Sequence, residues 1–236
     1  MRILTGSYDI DRFLGGGIST GLVWDIFGEN GSGKSQFCFT ICAYLLKNTS
    51  EKIIFIDTTG NFRPERIVEI LNVKNSNGFL DRIEYIRVFS IFAQFNALEK
   101  IDILNPRLVI VDTATSIIAS DSQGAARHLI LMKFLHKLAH HAIRNNCAVI
   151  ITNSIREKIS SPEVREMKTS ILGNPSYKTG SQIEFMDKST SISVHIKLRF
   201  EIINFDKKIY RMSYAQPFLK HSIFFTINIS GISSLN

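Results

Sequence analysis

Gly28-Glu29-Asn30-Gly31-Ser32-Gly33-Lys34-Ser35 is the stretch on which the fold of this chain turns. It fits the pattern Gly-x-x-x-x-Gly-Lys-Ser, in which glycines let successive backbone N–H groups wrap an anion and the helix that follows adds the positive end of its dipole. Its flanks are those such a loop needs: the apolar run 22–27 reads as a strand and residues 32–47 as a helix. The motif points to a nucleoside triphosphate, ATP, held together with Mg²⁺. Contacts are expected from Gly28, Glu29, Asn30, Gly31, Ser32, Gly33, Lys34 and Ser35. Lys34 is expected to reach the β- and γ-phosphates and the Ser35 hydroxyl to ligate the metal.

A phosphate-binding loop of this kind works with a second, metal-directed carboxylate at the end of a neighbouring strand. Leu108-Val109-Ile110-Val111-Asp112 supplies one, and Asp57, after Ile53-Ile54-Phe55-Ile56, has the same shape and competes. Asp112 is the choice, as metal ligand and, with Lys34, as a catalytic residue.

Further out, apolar runs at 52–57, 83–88, 108–112 and 148–152 alternate with helix-period stretches at 64–71, 92–104 and 124–145. That alternation predicts an α/β fold, a mainly parallel central sheet flanked by helices. Residues 154–180 are polar and punctuated by Pro162, Gly173, Pro175 and Gly180, which reads as a long loop, mobile over 155–180. Beyond it, 191–200, 207–214 and 222–229 read as strands, the first two joined by a turn at 204–206, giving a C-terminal antiparallel β extension. The whole of 1–236 is read as one domain.

With 44% apolar and 21% charged residues the composition is that of an ordinary folded protein. No apolar run approaches the roughly 18 residues of a membrane span, and Met1 opens no leader pattern, so a cytoplasmic location is expected. Cys38, Cys42 and Cys147 have no metal-ligand spacing and read as core. His128, His136, His140 and His141 lie on one predicted helix without a recognised partner spacing and are assigned to its surface. A net charge of +7 favours a polyanionic partner.

Together these residues resemble the RecA-type strand-exchange recombinases, in the branch of the archaeal RadA proteins and the eukaryotic recombinases. Ile10-Asp11-Arg12-Phe13-Leu14-Gly15-Gly16-Gly17-Ile18 is similar to the segment before the phosphate loop in that branch. Phe62-Arg63-Pro64-Glu65-Arg66-Ile67 is similar to its motif after the second strand, and Ile151-Thr152-Asn153 to its nucleotide-sensing strand end. The likeness begins at Met1 with the ATPase core, most like the core-only archaeal RadB group, so the helical N-terminal domain and subunit linker of RadA are expected to be absent.

The resemblance implies a RecA-like P-loop NTPase core in which Arg66 stacks on the adenine. It implies single-stranded DNA as a ligand, met by a short first loop at 120–124 and a second loop at 154–180 bearing Arg156, Lys158, Arg165, Lys168, Tyr177 and Lys178. A main recombinase of the RadA type is the implied protein partner; an oligomer is left open.

Two departures stand out. The family's catalytic glutamate, two residues after the aspartate of the second strand, is Thr59 here, and a threonine cannot deprotonate water. Losing a general base costs about 10²- to 10⁴-fold, some 3 to 5 kcal/mol of barrier, unless another carboxylate such as Glu29 substitutes. Ser154 stands where the family has a glutamine that couples the γ-phosphate to the second loop. The leading reading is thus an ATP-binding accessory protein of homologous recombination and DNA repair with weak hydrolysis. The alternatives are a competent DNA-dependent ATPase and a KaiC-like regulatory ATPase that acts on protein partners without DNA.

Overall fold

The strands Val23–Gly28 (β3), Ile53–Asp57 (β4) and Leu108–Asp112 (β6) are buried along their whole length. That explains their unbroken apolar sequence: parallel strands covered by helices on both faces have no solvent side to mark with polar residues. The computed structural model describes residues 1–73, 77–157 and 182–235. Ahead of β3 lie β1 (Arg2–Ile3), α1 (Tyr8–Phe13) and β2 (Ile18–Ser19). After it come α2 (Lys34–Asn48), β4, α3 (Pro64–Leu71), α4 (Asn77–Leu80), β5 (Ile83–Arg87), α5 (Ile91–Asn96), α6 (Glu99–Leu104), β6, α7 (Ser116–Asp121) and α8 (Gly124–Arg144). The chain continues with β7 (Ala148–Glu157), β8 (Gln182–Glu184), α9 (Asp187–Ser193), β9 (Ile196–Asn204), β10 (Ile209–Gln216), β11 (Ser222–Asn228) and β12 (Gly231–Ser234).

The large sheet runs β12-β11-β10-β9-β3-β7-β6-β4-β5, with β8 paired antiparallel to the far end of β7. From β9 to β5 the pairs are parallel, and from β9 to β12 antiparallel. The mainly parallel α/β architecture with a C-terminal antiparallel extension is therefore present. One core packs α2 and α3 on one face, around Phe37, Phe39, Phe55 and Phe200; the other packs α5 to α8 on the opposite face, around Phe134, Leu135 and Leu138. Gly28 pairs with Ser154 and Asp57 with Asp112, so the C-terminal ends of the parallel strands come level. Cys38, Cys42 and Cys147 are buried, and burial pushes the Cys147 thiol up to about 11.

Several boundaries differ from the sequence expectation. The helix expected over 92–104 is two helices: Leu98 N–H bonds to Phe95 O and Ile101 N–H to Leu98 O, a tight i to i+3 turn that buries Ala97, Leu98 and Ile101 together. β7 continues through residues 154–157, read as loop, because β8 pairs with it through Ile155↔Glu184 and Arg156↔Ile183. The strand expected from residue 191 begins at Ile196, since residues 187–193 form α9. The rest of the expected loop, residues 158–181, lies outside the described residues, and with it Lys158, Arg165, Lys168, Tyr177 and Lys178.

α9 is held by a buried charge cluster. Lys197, 3% exposed at its side chain, pairs with Glu184, with Asp187 at 2.6 Å and with Asp25 at 3.9 Å, and donates to Thr190 and Ser191 at 3.0 and 2.9 Å. Glu184 in turn accepts from Asn153 Nδ2 at 2.8 Å and from the Thr190 hydroxyl at 2.6 Å. Three carboxylates therefore share one ammonium, and neither Asp25 oxygen has a hydrogen-bond partner among the described residues. Desolvation, reinforced by the Glu184 charge, pushes Asp25 well above the usual carboxylate range and favours its neutral form.

A folded pKa above the unfolded one means that the folded state binds more protons, so Asp25 makes stability fall as pH rises through its unfolded value near 4. Asp25→Asn is expected to gain stability relative to the parent as pH rises above that value, whereas Lys197→Met, which leaves buried carboxylates uncompensated, should lose about 3 to 5 kcal/mol. Urea unfolding of both variants between pH 4 and 8 checks both signs.

Candidate nucleotide-binding site

Between β3 and α2 the chain makes a turn that only glycine tolerates at three points. A side chain at Gly28 would meet the Phe200 carbonyl of β9, and Gly31 and Gly33 have φ of 82° and 96°. Gly33 is the residue before α2, and no side chain caps that helix end. Its first amides therefore open onto the loop as unsatisfied donors. Ser32 is fully buried and its hydroxyl has no hydrogen-bond partner among the described residues. A ring of amides, a helix N-terminus and a spare hydroxyl is a donor set that suits phosphate oxygens.

The cation of the loop is folded back on it: Lys34 Nζ donates to the carbonyls of Gly28 and Glu29 at 2.9 and 2.8 Å. Desolvation lowers its pKa while Asp112 works the other way. Ser35, at the start of α2, donates through its hydroxyl to Asp112 Oδ2 at 2.9 Å, and the Thr152 hydroxyl donates to Asp112 Oδ1. Burial pushes the Asp112 carboxyl up, partly countered by these two donors. A hydroxyl and a carboxylate side by side are hard oxygen ligands of the type Mg²⁺ takes. The residues fit a nucleotide triphosphate with its metal.

Geometry also separates the two candidate carboxylates. Asp57 is fully buried and accepts from the amides of Thr59, Gly60, Asn61 and Phe62 at 2.9, 2.7, 3.4 and 3.2 Å, and from the Tyr85 hydroxyl at 3.2 Å. Burial acts to raise its pKa, but these amides and Arg87 at 3.6 Å overcome it, and the net shift is downward. Asp57 organises its own turn, whereas Asp112 faces the helix end of the loop. Thr59 belongs to that turn: its hydroxyl accepts from Asn61 Nδ2 at 2.9 Å. Glu29 points elsewhere, its carboxylate 3.4 Å from the Ile202 amide of β9.

One residue beyond Ser35, Gln36 lines a groove of about 740 Å³ together with Arg66, Lys207, Lys208, Tyr210, Ile227 and Asn228. Arg66 forms one wall: Nε donates to Gln36 Oε1 at 2.8 Å, and the guanidinium also bonds Glu69 and the carbonyls of Asn228 and Ile229. The side chains from β10 and β11 had no signal in the sequence, because tertiary folding alone brings the C-terminal hairpins beside the loop.

On the other side, Ser154 lies beside the loop, in a pocket of about 350 Å³ with Glu29, Asn30, Arg156 and Gln182. Of the residues expected to meet DNA, only Arg156 is described; it is exposed, with its guanidinium carbon 5.7 Å from the Phe185 ring. The short first loop is corrected in part: residues 120 and 121 are the last of α7, and only Ser122 and Gln123 separate it from α8. His128 bonds Ser189 at 2.7 Å and His141 bonds Asp102 at 3.0 Å.

Comparison with known proteins adds family relationships. The family model for Rad51 matches residues 1–174. The chain is 36% identical over 196 residues to the DNA repair and recombination protein RadA of Cenarchaeum symbiosum, covering 77% of this chain and 47% of that protein. It is 30% identical over 197 residues to the DNA repair protein RAD51 homolog B of Zea mays, covering 75% and 58%. To the meiotic recombination protein DMC1 homolog A of Oryza sativa it is 37% identical over 170 residues, covering 66% and 49%. The chain thus spans about half the length of these relatives.

If Ser35 and Asp112 together hold the metal, Asp112→Asn should remove the Mg²⁺-dependent gain in ATP affinity, on the order of tenfold or about 1.4 kcal/mol, and leave the metal-free affinity unchanged. Equilibrium titration of a fluorescent ATP analogue in Mg²⁺ and in EDTA measures both.

Proposed function

Because the chain belongs to the Rad51 family, we propose that it is an ATP-binding paralogue of the RecA-type recombinases that binds single-stranded DNA and assists a RadA-type recombinase in recombination and repair, with weak ATP hydrolysis. The observation that carries the reading is a contrast within one site. Ser35 and Asp112 stand 2.9 Å apart as a ready metal-ligand pair, while the position of the hydrolytic base is Thr59, bound into the Asp57 turn. In this reading Lys34 and the loop amides hold the phosphates, Ser35 and Asp112 hold Mg²⁺, and the groove beside Arg66 receives the base. The metal supplies charge neutralisation of the phosphates. Among the described residues no side chain at position 59 or 29 is placed to take the proton of an attacking water, so in this reading bound ATP acts as a structural or switching ligand more than as fuel.

The DNA part of the proposal rests on the net charge of +7, on the basic residues of the 154–180 segment and on the relatives being proteins of DNA repair and recombination. Kinship with the RadB group is part of the same proposal. A competent DNA-dependent ATPase would need another base, and Glu29, with its carboxylate turned to the Ile202 amide, is not aimed across the loop toward Asp112.

Phosphate release with and without single-stranded DNA, and with and without a RadA-type recombinase, tests the reading. Turnover should stay slow in all four conditions, and Thr59→Glu should raise it about 10²- to 10⁴-fold. DNA-stimulated turnover in the parent chain at the level of the glutamate variant would overturn the reading.

A further inference from the structure

α8 has a second stripe beside the one it buries. Leu131, Phe134, Leu135, Leu138 and Ala142 face the core, whereas Leu129, Met132, Lys133 and His136, at i, i+3, i+4 and i+7, line a groove of about 560 Å³. Phe95 of α5 forms one wall, and Ile192 of α9 and His195 form the other. Leu129 is 53% and Ile192 71% exposed, so the groove leaves large apolar side chains in water next to each other.

Its rim has one sign. The charged side chains that line it are Lys133 and Lys137, with His136 and His195 beside them, and among the described residues no carboxylate does. Lys137 Nζ sits 5.7 Å from the centre of the Phe95 ring, so a cation stands over the apolar wall. His195 is fixed: Nδ1 accepts the Val23 amide at 3.0 Å, which leaves its proton on Nε2 as a donor. Asp102, a carboxylate of α6, is engaged by His141, Asn145 and Arg144. An apolar floor under an uncompensated cationic rim is complementary to a helix with an apolar stripe between acidic residues.

We propose that this groove is the docking site for an acidic amphipathic helix of a partner protein. Two placements make it a separate site. α8 packs on the face of the sheet opposite α2. His195 and Val23 lie at the start of β9 and β3, at the other end of the strands from Gly28. A helix bound there leaves the phosphate loop open, and the inference stands whether or not nucleotide binds. A nucleic acid is a poorer fit: the groove offers aliphatic side chains for burial, its Phe95 ring already packs edge-on against Phe134 at 5.4 Å, and His195 is tied to the Val23 amide.

The test is fluorescence anisotropy with a labelled peptide of about 15 residues, leucines at i, i+3, i+4 and i+7 and glutamates elsewhere. The same peptide with lysine for glutamate, and a labelled oligothymidylate, are run beside it. The glutamate peptide should bind saturably and the lysine peptide should not. Lys133→Glu with Lys137→Glu, and separately Leu129→Ser with Ile192→Ser, should each weaken binding at least about tenfold, whereas Lys220→Glu, on the loop between β10 and β11 and outside the groove lining, should change it less than about twofold. All five substituted positions are exposed, and thermal melting confirms that each variant folds. The proposal fails if the glutamate peptide does not saturate, if Lys220→Glu weakens it as much as the groove pair, or if the serine pair has no effect. It fails equally if the groove variants weaken oligothymidylate and not the peptide, which would make the surface a nucleic-acid contact.

Discussion

Asp112 ties together the three elements on which the site depends. It ends β6, accepts from Ser35 at the start of α2 and accepts from Thr152 on β7, so one carboxylate sets the helix against the sheet edge from which the phosphate loop springs. Burial makes the arrangement costly for a bare charge, and the two hydroxyl donors offset that cost. The same buried carboxylate is poised to be relieved by a cation, which is why its environment suits a metal better than a turn would. Asp57, one strand over and level with it, has the opposite task. Four amides and a phenol consume its lone pairs, and it becomes the anchor of its own loop.

Under the proposed function, that division lets the site hold a nucleotide while hydrolysing it only weakly. Thr59 takes its position from the Asp57 turn. The threonine closes a local hydrogen-bond ring with Asp57 and Asn61. Holding phosphates requires fixed donors, which the glycine turn provides; cleaving them requires a movable proton acceptor, which this turn lacks. On the other side of the loop, Ser154 shares a pocket with Glu29, Asn30 and Gln182, and the Asn153–Glu184–Lys197 chain runs from there into α9.

The phosphate loop and its flanking strand and helix were legible because their signals are local: glycines where φ is positive, an apolar run before, a helical period after. The choice of Asp112 over Asp57 was not settled by local pattern, since both close an apolar strand; proximity to Ser35, 77 residues away, decides it. α9 was invisible because Asp187-Lys188-Ser189-Thr190-Ser191-Ile192-Ser193 has no apolar period; its Ser189 and Thr190 are buried by bonding to His128, Glu184 and Lys197. Asp25 and Lys197 read as ordinary strand residues, because only the β3–β9 register brings them side by side in the interior. The break between α5 and α6 escaped for a related reason: helical spacing runs through it, and tertiary burial of Leu98 bends the chain there.

In the proposed function the loop holds ATP far longer than a working ATPase would and splits it only slowly. The most direct measurement is to mix the protein with a slight excess over radiolabelled ATP in Mg²⁺, hold it for many minutes, and identify the nucleotide recovered from the isolated complex. The account predicts intact ATP bound to the protein. Recovery of ADP, or of protein without nucleotide, would contradict it.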